Sequence, residues 1–204
     1  MSLREKGERM EKIGRYSFEQ YLEVIKSFHG SESPGLVLGG IMVDYALGQM
    51  EPGVLFDAIC ETSSCLPDAI QLLTPCTIGN GWLKVIDLGR FALSLYDKYR
   101  GEGVRVFVDG GKLNGWEEIW NWFYKLKTKR EQDKDLLLAQ IREAGCAILS
   151  AGPVRIDPRY LGKTSKGAIA NCPGCGEPYP QKDGALCLGC SGQSPYEQMT
   201  ELTG

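Results

Sequence analysis

Two Cys-x-x-Cys pairs near the C-terminus, Cys172-Pro-Gly-Cys175 and Cys187-Leu-Gly-Cys190, constrain this chain more than any other feature. Eleven residues separate them. A two-residue gap lets one tight turn aim both sulfurs at a common point, so two such turns offer four thiolates to one tetrahedral ion at about 2.3 Å. Disulfides and an iron–sulfur centre are the competing readings, and the ligand spacing favours a structural zinc. Gly174, Gly176 and Gly189 are expected to supply the turn backbone, because glycine reaches φ > 0 without a steric clash. A structural zinc anchors a small module but names no activity. The chemistry has to be sought upstream.

A chain of 204 residues suggests one main domain with a small appendage. No stretch of 18 apolar residues is present, and Met1-Ser-Leu-Arg-Glu-Lys-Gly-Glu8 has no signal-peptide core, so a cytoplasmic protein is expected. Thiols stay reduced there, and eight cysteines then point to metal or catalysis before disulfides. The net charge of −3 argues against a broad phosphate-binding surface. Residues 167–190 do not reverse this, since Lys182 stands against Glu177 and Asp183. A nucleic-acid-binding zinc ribbon is poorly supported.

Along the chain, residues 1–16 are charged and expected to be a flexible N-terminus. Ser17 with Gln20 has the form of a capping box. Phe18, Leu22, Ile25 and Phe28 follow at helical spacing, ending at His29-Gly30. Ser33-Pro34 should open a second helix to about Gly48. Gly35, Gly39 and Gly40 each cost that helix about 1 kcal/mol, which implies the close approach of another backbone or a ligand. Strands are expected at 55–62, 82–87, 91–98 and 104–108, with a short helix at 67–73. Residues 116–144 read as helical, in two segments or one kinked one. The stripe Trp116, Ile119, Trp120, Phe123, Leu126 reads as core packing before a dimer interface. The charged run Lys125–Arg130 reads as a solvated helix face, with Gly145 as the C-terminal cap. Grouped strands with helices on either side make this an α+β chain: a mixed helix/antiparallel-sheet core over 17–151, a Gly/Pro-rich linker over 152–170, and a zinc-binding module and tail over 171–204.

Two cysteines and the single histidine lie in suggestive places. His29 falls between one helix end and the proline start of the next. Cys65 falls between a strand end and a helix N-terminus, where free N–H groups and the helix dipole favour a thiolate. Asp68 is in the first turn of that helix, and Cys76 is in a turn before spaced glycines. At these residues the chain resembles a known family. Phe28-His29-Gly30, Pro34-Gly35 and Gly39 are similar to the Phe-His-Gly-His-x-Cys-Pro-Gly signature of the FmdE family, which takes its name from formylmethanofuran dehydrogenase. Cys65-Leu-Pro-Asp68-Ala-Ile-Gln71 and Cys76-Thr-Ile-Gly79-Asn-Gly81 resemble its two following motifs, in the same order. The resemblance covers about residues 18–108, and the paired knuckles resemble that family's C-terminal module. It implies an α+β core, a homodimer, a cleft with a metal site of His29, Cys65 and Cys76, and an association with formylmethanofuran dehydrogenase or other redox-enzyme subunits. Ser31 and Ser33 stand where the signature has its second histidine and its cysteine. Serine is a poor ligand beside imidazole or thiolate, so any second metal here must use His29, Cys65 and Cys76, with Asp68 as a further candidate.

Three functions compete on this reading. The leading one is a metal-binding accessory protein with a structural zinc and a core cleft for a metal or small ligand. The second is an enzyme with Cys65 as nucleophile, His29 as base and Asp68 orienting it, which needs His29 within hydrogen-bond reach of the Cys65 sulfur. The third is a nucleic-acid-binding regulator, disfavoured by charge. No membrane partner is expected.

Overall fold

The computed structural model describes residues 10–162 and 165–197. The chain divides into two compact units, residues 1–162 and 163–204.

The first unit begins earlier than its charge suggests. Residues 1–9 of the expected flexible N-terminus lie outside the described residues. Beyond them β1 (Lys12–Ile13) and β2 (Tyr16–Ser17) form a small antiparallel hairpin that turns through Gly14 at φ +58°. Met10 and Ile13 are buried, and that apolar pair overrides the surrounding charge. Helix α1 (Phe18–His29) carries the full capping box: Ser17 Oγ accepts from Gln20 N, and Gln20 Oε1 accepts from Ser17 N. Gly30 closes it in the left-handed region at φ +84°. Helix α2 (Pro34–Leu47) is apolar nearly all round, as a fully enclosed helix must be. It packs on α1, and its environment is completed by α3 (Leu66–Leu73), α5 (Lys134–Ala144) and strands β5 (Ala92–Asp97) and β6 (Glu102–Val108).

The three α2 glycines answer to those neighbours. A Cβ on Gly40 would lie 2.4 Å from the Tyr21 ring, and one on Gly39 would lie 2.8 Å from Ala69 Cβ. One on Gly35 would lie 2.9 Å from both Cβ and Sγ of Cys65. The propensity lost in α2 is therefore exchanged for close helix packing, and at Gly35 for the placement of a thiol.

The sheet has five strands in the order β4 (Leu83–Val85), β3 (Phe56–Cys60), β5, β6, β7 (Leu149–Arg155). Only the β3–β4 pair in it is parallel, with α3 as its crossover; the others are antiparallel. Ala58, Cys60, Leu93, Leu95, Val104 and Val106 belong to the main core with α2. Two sequence readings need correction. Residues 152–155 are not linker but complete the edge strand β7, in which Pro153 pairs with Val104. An edge strand tolerates a proline that a central one would not. The run 125–130 is not helical either: α4 (Glu117–Phe123) ends before it, and Lys125 takes φ +58°. Lys127 turns back to Glu118 at 2.5 Å, and Asp133 caps α5 by accepting from Leu136 N. The aromatic stripe is shared between core and surface, with Ile119 buried, Trp116, Trp120 and Phe123 packed against the core, and Leu126 exposed. Gly145 caps α5 as expected, donating to Ile141 O.

In the second unit, β8 (Ile169–Asn171) and β9 (Pro178–Pro180) form an antiparallel pair that brackets the first knuckle. The domain is α+β with an appended four-cysteine module.

Candidate functional site

The best-defined site is the four-cysteine cluster. Cys172 follows β8 directly, and its N–H donates to Glu177 O while Gly176 N donates to Cys172 O, closing the first knuckle. Of the glycines expected to shape these turns, Gly176 takes φ +79°. Gly174 serves differently: a Cβ there would stand 3.0 Å from Cys190 Sγ. The second knuckle reaches in through Cys187, whose N–H donates to Cys172 Sγ at 3.4 Å. Cys190 N donates in turn to Cys187 Sγ at 3.4 Å. All four sulfurs lie within 4.8 Å of one another, with Cys175 and Cys187 sulfurs at 3.8 Å. A tetrahedron of sulfurs about 2.3 Å from a central zinc has edges of about 3.8 Å, so the donor set and its spacing fit that ion. The electrostatics agree. Amide donors, chiefly the Cys187 N–H, pull the Cys172 thiol down to about 6, while the crowd of sulfurs beginning with Cys187 pushes Cys190 up to about 12. Four thiolates cannot gather without a cation to neutralise them.

The second group lies where three helix ends meet in the first unit. His29 is the last residue of α1, Ser33 precedes α2, Cys65 precedes α3, and Asp68 sits in the first turn of α3. His29 Nδ1 and Asp68 Oδ2 are 3.1 Å apart, both side chains about one-third exposed. Ser33 Oγ does not cap α2; it lies 3.5 Å from Cys65 Sγ. Cys65 itself has φ +55° and ψ −45°, and Leu66 N donates to Ser64 O across it at 2.5 Å. This is the strained form of the γ-turn, rare for a residue with a Cβ. A sharp strand-to-helix turn thus presents a half-buried thiol beside the start of α2, with Gly35 leaving it room.

The other predicted ligand is elsewhere. Cys76 is buried, its thiol directed to Phe56 O at 3.5 Å and pushed up to about 11 by burial. The turn is responsible: Thr74 Oγ1 accepts from Cys76 N, and Thr77 and Asn80 bond one another, which directs the thiol inward. His29, Cys65 and Cys76 are not gathered into one ligand set; among the described residues, the four C-terminal cysteines form the group of three or more ligand atoms within 4.8 Å. Two features were not anticipated from sequence. One is the Ser33–Cys65 contact. The other is Glu61 at the end of β3, held by two bonds from Arg105 at 2.6 and 2.8 Å and one from Arg90 at 2.8 Å. The Arg105 hydrogen bonds hold the Glu61 carboxyl below its usual range despite burial.

The core fold and the knuckles together define a class. The family model described as FmdE, Molybdenum formylmethanofuran dehydrogenase operon, matches residues 28–156, and the FmdE treble clef zinc finger matches residues 163–197. The chain belongs to the FmdE family and carries its treble clef zinc finger. It is similar to a tungsten formylmethanofuran dehydrogenase FmdE-like protein from Syntrophus aciditrophicus, known from its crystal structure. Identity is 53%, with a TM-score of 0.84 over 92% of this chain and 99% of that one. A probable S-adenosyl-L-methionine-binding protein of Archaeoglobus fulgidus is 30% identical over 197 residues, 82% of this chain and 51% of the relative. The chain therefore spans about half the length of that curated relative. Among the described residues no helix is long and apolar enough to cross a membrane.

Proposed function

We propose that this chain is a cytoplasmic, homodimeric accessory protein of the FmdE type, with a structural zinc on Cys172, Cys175, Cys187 and Cys190 and a second, weaker metal site at His29 and Cys65. The observation that carries the core reading is the His29–Asp68 contact. A carboxylate on Nδ1 fixes the imidazole tautomer and leaves Nε2 as the free ligand, the arrangement that metal-bound histidines use. Cys65 supplies the soft donor. Ser33 stands beside it where the family signature carries a cysteine, so the set is one thiol poorer and the affinity lower. Cys76, buried and protonated at neutral pH, contributes packing in this reading instead of ligation.

The nucleophile reading is less well supported. Its base would have to engage the Cys65 sulfur, and His29 and Cys65 each have another partner. The proposed partners are a second copy of the chain and a redox enzyme such as formylmethanofuran dehydrogenase, by the family's name alone. S-adenosylmethionine, from the name of the Archaeoglobus relative, is the first small molecule to titrate. The test of the core site is cobalt(II) added to zinc-loaded protein without oxygen. A thiolate-to-cobalt absorption band is expected in wild type and absent in Cys65→Ser and His29→Ala. No band in wild type, or equal bands in all three, would contradict the site.

A further inference from the structure

We propose that residues 156–162 form a releasable strap over the second face of the sheet, clamped by Lys84. This segment falls within the stretch read from sequence as linker. It instead folds back across the strands after β7. Ile156 N donates to Gly101 O, residues 158–160 make one tight turn, and Leu161 rests against Gly101. Ile156 packs with Ile59 and Tyr96, with Leu161, Ile86 and Val154 around them, in a small cluster separate from the main core. The Lys84 ammonium then donates to Tyr160 O at 2.7 Å and to Gly162 O at 2.9 Å. One side chain thus holds both ends of the last turn before the zinc-finger unit begins at residue 163.

The buried groups on this face argue for opening. Tyr96 is fully buried and its hydroxyl has no hydrogen-bond partner. Asp57 stands directly opposite it in the β3–β5 register, also buried, and its Oδ1 has no hydrogen bond, only a loose approach of Lys98 at 3.8 Å. A buried hydroxyl without a hydrogen-bond partner disfavours the closed state, and hydration of Tyr96 on opening relieves it. A cluster this small gives a weak opposing hold. Lys84, with two of the bonds that hold the segment down, sets the balance between closed and open states. Opened, this face exposes the Tyr96 phenol over an apolar floor of Ile59, Ile86 and Val154.

Amide hydrogen exchange on the full chain tests this, with tyrosine nitration as a second readout. In Lys84→Met the amides of Ile156 and Leu161 are expected to exchange on the order of tenfold faster or more, the factor for about one net hydrogen bond. Amides of α2 should be unchanged, Tyr96 should become nitratable, and Lys84→Arg should restore protection. Leu161→Ala, which removes the apolar anchor and leaves the clamp, is expected to give the same pattern, so the test survives a misfolded Lys84 variant. Unchanged exchange in both variants, or acceleration spread equally over α2, would overturn the strap.

Discussion

Cys65 combines a strained backbone with a confined side chain, and both follow from its place between β3 and α3. Its φ of +55° favours glycine, so Cys65→Gly should be more stable than Cys65→Ala by about 1 kcal/mol, checked by denaturant titration. Confinement predicts a different cost at the glycines. Gly40→Ala, forced into the Tyr21 ring, should lose about 1–3 kcal/mol of stability. Glu61 sets a pH dependence. Its carboxyl titrates lower in the folded state than its usual 4.5, so its contribution is full above that value and is lost as pH falls through the lower folded value. Urea midpoints measured on acidification should fall more steeply in wild type than in Glu61→Gln. A variant curve parallel to wild type would show that other carboxylates govern the acid limb. At this scale the sequence told where Cys65 and His29 sit but not what they touch. His29 and Asp68 are 39 residues apart and Ser33 and Cys65 are 32 apart, and only tertiary packing joins them.

Elements announced by local chemistry were legible before the fold was known. The α1 capping box, its Gly30 stop and the Ser33-Pro34 opening of α2 are short-range signals, and each marked a boundary within a residue or two. Ser17→Ala should therefore cost about 1 kcal/mol, measured by thermal unfolding. Elements whose signals conflict were misread. Gly152 and Pro153 look like linker, yet an edge strand needs only one bonded side, and β6 supplies it. Lys125–Arg130 looked helical by continuity with its neighbours, but ion pairing to Glu118 and the Asp133 cap favour a break there. The parallel β3–β4 pair was not visible either, since strand order depends on the route of α3 and not on any residue in the strands.

Across the whole molecule, two units answer to different forces. The first is built on an apolar helix and a sheet; the second is small, mostly exposed, and organised around four sulfurs. A unit of that size needs a staple. Chelation should therefore abolish exchange protection in residues 165–197 while α2 stays protected. The knuckles were the clearest feature in the sequence because metal geometry is written in spacing. The candidate core site was only half legible, because the contacts of His29 with Asp68 and of Ser33 with Cys65 are made by tertiary packing alone. Metal content per chain, determined by native mass spectrometry after anaerobic purification and zinc loading, bears on both sites at once. Wild type should carry one tightly held zinc and a second, more easily lost metal; Cys172→Ser should lose the tight one, and Cys65→Ser only the weak one. Metal-free wild type, or a Cys65→Ser stoichiometry identical to wild type, would contradict the two-site assignment.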